Sequence, residues 1–365
     1  MSDPALGQRL RSLDAMRGVG ILAMMPFHLV FFGQIFTFSG EGGISLVQAM
    51  PFPIEFRPPM ATGLVLFSFV TGMSLAFFAS QEKSKFSLLA GVIRRYGTYT
   101  LVGILFEILL WTTLKGPNID YGFYFSFIVG GYGSFSAPLT GLSLSALIAF
   151  PLILYLPWKK IIATAVGIAL SVGLVLYYFL ITHPYDPEIG YLQGLPEFSL
   201  LNPLLIGMFA ALKGVPIVLV GAVIGKSISA RKNILKKKIL IGSAIVVTYM
   251  IVPAFFGTFM IQFVLAIWAY PYAITFVIGS SLLLFSLLQI CEDKKINLVV
   301  FEVLGRVSFF AYFGHFLLLL PLIEVIGFAN MNLGYLLGLM VISEIVVWIL
   351  SYRYCKWKWG SPSNW

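Results

Sequence analysis

Four ionisable side chains, His28, Glu107, His315 and Glu344, fall deep inside long apolar stretches, and four arginines, Arg17, Arg94, Arg95 and Arg306, stand at the entrances to such stretches. An ionisable group at that depth costs a few kcal/mol unless it faces a partner or a wet cavity, so each is a candidate functional residue. In "RSLDAMRGVGILAMMPFHLVFFG" (11–33), His28 follows Arg17 by eleven residues, roughly 16 Å of helix. His315 follows Arg306 by nine, roughly 13 Å, in a stretch expected to run in the same direction. Two imidazoles at matched depth, each approached by an arginine, suit proton transfer together with the binding of an anionic ligand.

Each residue also has a plainer reading. A membrane histidine can serve only as an interhelical hydrogen-bonding group. Arg94 and Arg95, in "VIRRYGTY", point about 100° apart on a helix, so one can face the protein while the other reaches lipid headgroups. The inward member would make a phosphate clamp, since guanidinium binds phosphate bidentately and stays charged. Glu107, further along the same helix, could orient a histidine, hold an acceptor's amine or hydroxyl, or be a protonated structural carboxyl. Asp14 and Arg17, three apart, can pair on one helical face, and for Asp14 a structural role is expected. Other chemistry finds no support in the sequence. "RGVG" lacks a preceding strand and reads as a glycine pair for helix packing, not a dinucleotide loop. No GxSxG, HExxH, CxxC or Walker sequence occurs, and with three histidines in the chain, one of them (His183) in an outer loop, no metal site is expected.

These residues must be held by membrane helices. Apolar residues make up 59% of the chain and charged residues 11%, with a mean hydropathy of +0.93, far from soluble averages. The expected fold is therefore all-α, a polytopic membrane helical bundle of about ten transmembrane helices, near 18–38, 61–80, 93–113, 136–157, 161–181, 214–228, 239–259, 266–290, 300–322 and 332–352. The first is read as a retained helix rather than a cleaved signal. Of the 24 Lys and Arg, this layout leaves only Arg57, Lys115 and Lys213 on the side away from the termini, so both termini are expected in the cytosol. The net charge of +9 is then a topology signal, and nucleic acid is excluded because no soluble stretch gathers the basic residues. The densest run, "KSISARKNILKKK" (226–238), reads as a cytosolic loop that could also touch anionic lipid. Residues 116–135 and 182–213, rich in Gly, Pro and aromatics, read equally well as partly re-entrant non-cytosolic loops roofing a site and as interfacial helices. Cys291 and Cys355 both fall on the cytosolic side, so no disulfide is expected. With no repeat or soluble segment, residues 1–365 are read as a single transmembrane domain.

Three stretches in order, "RLRSLDAMRG" (9–18), "LVLFSFVTGMSLAFF" (64–78) and "GRVSFFAYFGHFLLLL" (305–320), followed by the basic-aromatic "YRYCKWKWG" (352–360), resemble the membrane acyltransferase family of heparan-α-glucosaminide N-acetyltransferase. The resemblance spans essentially the whole chain. It implies transfer of an acetyl group from cytosolic acetyl-CoA, a donor substrate and not a metal cofactor, to an amine or hydroxyl of a sugar or glycan acceptor on the other side. That task matches the layout read from the residues, with Arg17, Arg94, Arg95 and Arg306 as the expected donor-binding residues and His28, His315 and Glu107 as the catalytic candidates. One departure is clear: the lysosomal member has its catalytic histidine in the segment after its first span, and the matching "SGEGGISLVQAMPFPIEFRPP" has none. Arg17, ten residues, then His28 is instead similar to related membrane O-acyltransferases of bacterial surface glycans. That makes His28 the first catalytic candidate. Expected partners are the coenzyme A donor, the glycan acceptor and membrane lipid, with a homodimer left open. The alternative is a proton-coupled transporter of a small molecule, using His28, His315 and Glu107 as a relay; the broken, paired spans of an inverted-repeat transporter are not evident.

Overall fold

The computed structural model describes residues 10–37, 62–113, 138–182, 185–186, 191–192, 202–229, 238–248, 275–276, 278–315, 318 and 333–360. Within them the chain is helical apart from one two-residue strand pair, as long apolar runs without alternation dictate. Helix α1 (Arg11–Thr37) opens the series. A helix leaves its first amides without intrahelical acceptors; here Glu292 takes those of Arg11 and Ser12, at 3.2 and 3.0 Å. Helices α2 (Thr62–Ala79) and α3 (Lys85–Thr113) are joined by a short polar connector. There Ser84 caps α3 by accepting the Ser87 amide at 3.2 Å. Helix α4 (Pro138–Tyr155) begins on a proline, which loses no hydrogen bond at a first helical position, and α5 (Trp158–Thr182) follows almost at once. Strands β1 (Tyr185–Asp186) and β2 (Tyr191–Leu192) pair antiparallel, Tyr185 opposite Leu192. Then come α6 (Asn202–Ser229), α7 (Lys238–Thr248), α8 (278–293), α9 (Val299–Arg306), α10 (308–315) and α11 (Leu333–Trp359).

The helices gather into two compact units. One holds Phe67–Leu283 with Met1–Leu6; the other holds Gly7–Leu66 and Leu284–Trp365. The core of the first is a cluster including Leu75, Leu88, Phe150, Ile153, Ile161 and Val218. Its closest approach is between α2 and α6: a Cβ at Gly72 would run into the Val218 carbonyl, and one at Gly221 into that of Phe69. In the second unit α9 packs on α11 through Val303, Val307 and Cys355, with Trp348 donating its indole N–H to the Val300 carbonyl at 3.1 Å. The basic-aromatic end of the chain forms the last turns of α11, where Tyr354 stacks on Phe310 at 5.4 Å between centroids.

Helices α1 and α9 cross backbone against backbone. A Cβ on Gly18 would collide with the Phe301 carbonyl, and one on Gly305 with the Asp14 carbonyl. The obstacles are main-chain atoms, which cannot swing aside. Gly305→Val is therefore expected to destabilise the protein by about 1–3 kcal/mol or more, seen as a lower thermal unfolding midpoint in detergent. An unchanged midpoint would show that the crossing yields without cost.

Three features depart from the sequence reading. Helix α6 begins at Asn202, so residues 202–213 extend a helix instead of forming part of a re-entrant loop. Glycine and proline make that stretch look irregular, yet Pro203 stands in the first turn of the helix, where its missing N–H costs no intrahelical hydrogen bond. Lys213, expected at an outer end, lies within α6 and is 4% exposed. The expected span at 300–322 is not one even helix either: Val307, at φ −113° and ψ 31°, separates α9 from α10. The ladder nevertheless continues across it, Val307 N–H to Val303 and Ala311 N–H to Val307. The second expected loop, 116–135, lies outside the described residues.

Among the described residues, Trp158–Val175 and Ala211–Ile228 are long and apolar enough to cross a membrane, and Leu66–Ala79, Leu139–Tyr155 and Lys238–Thr248 are shorter apolar helices. Large apolar side chains such as Leu101 and Leu105 on α3, Val166 and Leu174 on α5, Leu240 on α7 and Ile345 on α11 are exposed. Such a surface suits hydrocarbon better than water.

Candidate functional site

Arg17 and Arg306 come together in the second unit, although almost the whole chain separates them. Both meet Asp14. The Arg17 Nη1 donates to Asp14 Oδ1 at 2.8 Å, and the Arg306 Nε lies 3.7 Å from Asp14 Oδ2. Two guanidinium groups thus flank one carboxylate that is only 1% exposed. Arg17 keeps 24% of its side-chain surface exposed, Arg306 only 5%. Beside them a second ion pair joins Arg11 to Glu302 at 2.8 Å. The tight link after α8 makes this possible: Lys295 takes a left-handed conformation, φ 56°, and the Ile296 amide bonds back to the Cys291 carbonyl at 2.8 Å, closing the helix so that α9 can start immediately.

His315 is fully buried at the end of α10. Its Nδ1 lies 3.2 Å from the Ala311 carbonyl, a contact in which the ring nitrogen donates because a carbonyl can only accept. The ring meets Tyr312 edge-on, 5.4 Å between centroids. The backbone puts His28 on α1 and Glu107 on α3, while their side chains lie outside the described residues.

Arg94 and Arg95 belong to the first unit, on α3, and both are exposed there. Arg95 lies 5.9 Å from the ring centroids of both Tyr96 and Tyr99. The Arg94 carbonyl accepts the Thr98 hydroxyl at 2.7 Å. Glu344, on α11, is half-buried. No group of three His, Cys, Asp or Glu able to hold a metal occurs among the described residues, and Cys291 and Cys355 are both free thiols.

A model of a protein family described as an acyltransferase domain matches residues 10–352. The chain belongs to this acyltransferase family. Membership settles the class of reaction as acyl transfer, in a membrane-associated protein, and favours it over the proton-coupled transporter. The matched stretch contains Asp14, Arg17, Arg306 and His315 as well as the α3 arginines. No curated protein and no solved structure matches the chain.

Sequence reasoning paired Asp14 with Arg17 from their spacing. It had no means of adding Arg306, because a contact between distant helices leaves no local pattern. Glu292 and Glu302 were overlooked for the same reason, lying in what reads as a solvated edge. For Lys213 a signal did exist. Extending the apolar window from 214 back to 203 would have enclosed the lysine within a span, where an ionisable residue is a candidate for function.

Proposed function

We propose that this acyltransferase moves an acetyl group from cytosolic acetyl-CoA to an amine or hydroxyl of a sugar or glycan on the opposite face of the membrane. The chain acts as one multi-pass domain of about ten spans with both termini in the cytosol; the single family match running through both units supports that unity. The observation that carries the reading is the sharing of Asp14 by Arg17 and Arg306 on the unit whose helices also bear His28 and His315. Guanidinium groups bind phosphate bidentately and stay charged, the property a phosphate-bearing donor requires.

In this scheme Arg17 and Arg306 hold coenzyme A phosphates, Arg94 and Arg95 on α3 are further donor-binding candidates, and the thioester reaches to the level of His28. His28 accepts the proton of the acceptor's hydroxyl or amine as that group attacks the thioester carbonyl. The carbon–sulfur bond breaks, the acetyl group remains on the acceptor, and coenzyme A leaves as the thiol after taking up a proton. Glu107 is the candidate to hold the acceptor's amine or hydroxyl. The order of motifs resembling the heparan-α-glucosaminide enzymes supports a sugar acceptor, and the Arg17–His28 spacing supports an O-linked one as well.

The test is a turnover assay on purified full-length protein in detergent, with acetyl-labelled acetyl-CoA and a panel of amino sugars and glycans. Acceptor-dependent release of coenzyme A thiol with label in the sugar is expected. If coenzyme A does not bind, or no panel member is acetylated while another acyl-CoA supports turnover, the acetyl-CoA reading is wrong.

His315 offers a sharper check. Asparagine can place an N–H where Nδ1 now donates to Ala311, but has no counterpart of Nε2. His315→Asn is therefore expected to fold normally and to lose roughly 10- to 100-fold in kcat, at the lower end of what a proton-transfer group contributes. Full activity in that variant would reduce His315 to a packing residue.

A further inference from the structure

We propose that Asp14 is the positioning residue of the donor site, holding in place two arginines from opposite ends of the chain that bind a phosphate of the donor. The inference rests on the proposed binding of a phosphate-bearing acyl donor by Arg17 and Arg306.

Three observations converge on Asp14. Its carboxylate uses one oxygen for each arginine, Oδ1 toward Arg17 at 2.8 Å and Oδ2 toward Arg306 at 3.7 Å. Its main chain is fixed independently, because its carbonyl lies against Gly305, the residue before Arg306, in a contact that leaves no room for a Cβ. The neighbouring acids are committed elsewhere: Glu302 to Arg11 at 2.8 Å, and Glu292 to the first amides of α1. Side chain and backbone of one residue therefore set where both guanidinium groups stand.

The physical need is direct. Two guanidinium groups brought side by side in a buried setting repel, and without an anion between them they would splay apart. A carboxylate between them holds them together. Arg17, with 24% of its side-chain surface exposed, is the member a donor can reach, and a guanidinium is built to bind phosphate. Asp14 itself would never touch the donor, since a carboxylate repels phosphate. Its effect is on donor affinity and not on the chemical step.

The experiment compares Asp14→Asn, Asp14→Glu and Arg17→Gln in the full-length protein in detergent, reading coenzyme A affinity by calorimetry, donor KM and kcat by turnover, and the thermal midpoint. Asp14→Asn is expected to raise donor KM and weaken coenzyme A binding by about tenfold or more while kcat stays within about threefold. Asp14→Glu keeps the charge but shifts it by one methylene, so an intermediate loss of about threefold to tenfold in KM is expected. If Asp14→Asn does not fold, Asp14→Glu decides alone: a raised KM at constant kcat supports positioning, and a wild-type KM overturns it. A fall in kcat at unchanged KM, or a lower midpoint with normal donor affinity, also overturns it. Arg17→Gln separates the two levels. Normal coenzyme A affinity in Arg17→Gln would remove the donor site itself, whereas weakened affinity there beside a normal Asp14→Asn would remove only the role of Asp14.

Discussion

Replacing His28 with alanine is expected to lower acyl transfer by about 100- to 10,000-fold, the usual contribution of general-base assistance. Helix α1 runs without interruption from Arg11 to Thr37, so His28 stands roughly 16 Å along it from Arg17. Donor phosphates held near Arg17 would lie far from the imidazole. Coenzyme A affinity and the unfolding midpoint are accordingly expected to stay close to wild type, and the loss should appear in kcat. Mass spectrometry of protein incubated with acetyl-CoA alone distinguishes the two possible routes. Direct transfer, the expected one, leaves the protein unmodified; a ping-pong route leaves an acetyl group that is absent from His28→Ala. Near wild-type transfer by His28→Ala would move the catalytic assignment to Glu107 or His315.

The second large effect is expected at α3. Arg94 and Arg95 are both exposed, and Arg95 is held beside the rings of Tyr96 and Tyr99, which limits the conformations it must give up on binding a ligand. A hydrogen bond to a charged group contributes about 1.5–3 kcal/mol. Losing two such contacts in the Arg94→Gln/Arg95→Gln double variant should weaken coenzyme A binding by roughly 100-fold or more. Lys159 and Lys160, exposed at the start of α5, provide the control: their conversion to glutamine removes equal charge and should leave the affinity within about twofold. Equal losses in both double variants would indicate a general electrostatic effect, and no loss in the arginine variant would eliminate the clamp.

The helices were legible because apolar runs of membrane length have few alternatives to helix. The predicted runs at 61–80, 136–157 and 161–181 coincide closely with α2, α4 and α5. Boundaries failed where proline and glycine were read as breaks, as at the start of α6, since a proline in the first turn of a helix loses no hydrogen bond. Individual candidates were legible too, because a charge within an apolar run stands out. Their assembly was not. That Asp14 sits between Arg17 and Arg306 depends on two glycines allowing α1 and α9 to touch, and "RGVG" announces helix packing without saying which helix is the partner.

The division into two units also has a consequence for how the protein is made. The unit that carries Arg17, Arg306 and both membrane histidines is discontinuous, built from Gly7–Leu66 and Leu284–Trp365, with the other unit inserted between. At about 5–20 residues per second, a ribosome needs on the order of ten to forty seconds to synthesise the intervening stretch. Throughout that interval α1 has left the ribosome without α9, exposing the Gly18 face and leaving the carboxylate of Asp14 without Arg306. The first segment of this unit to be translated is thus among the last to find its final neighbours, so its packing waits on the whole of the intervening stretch.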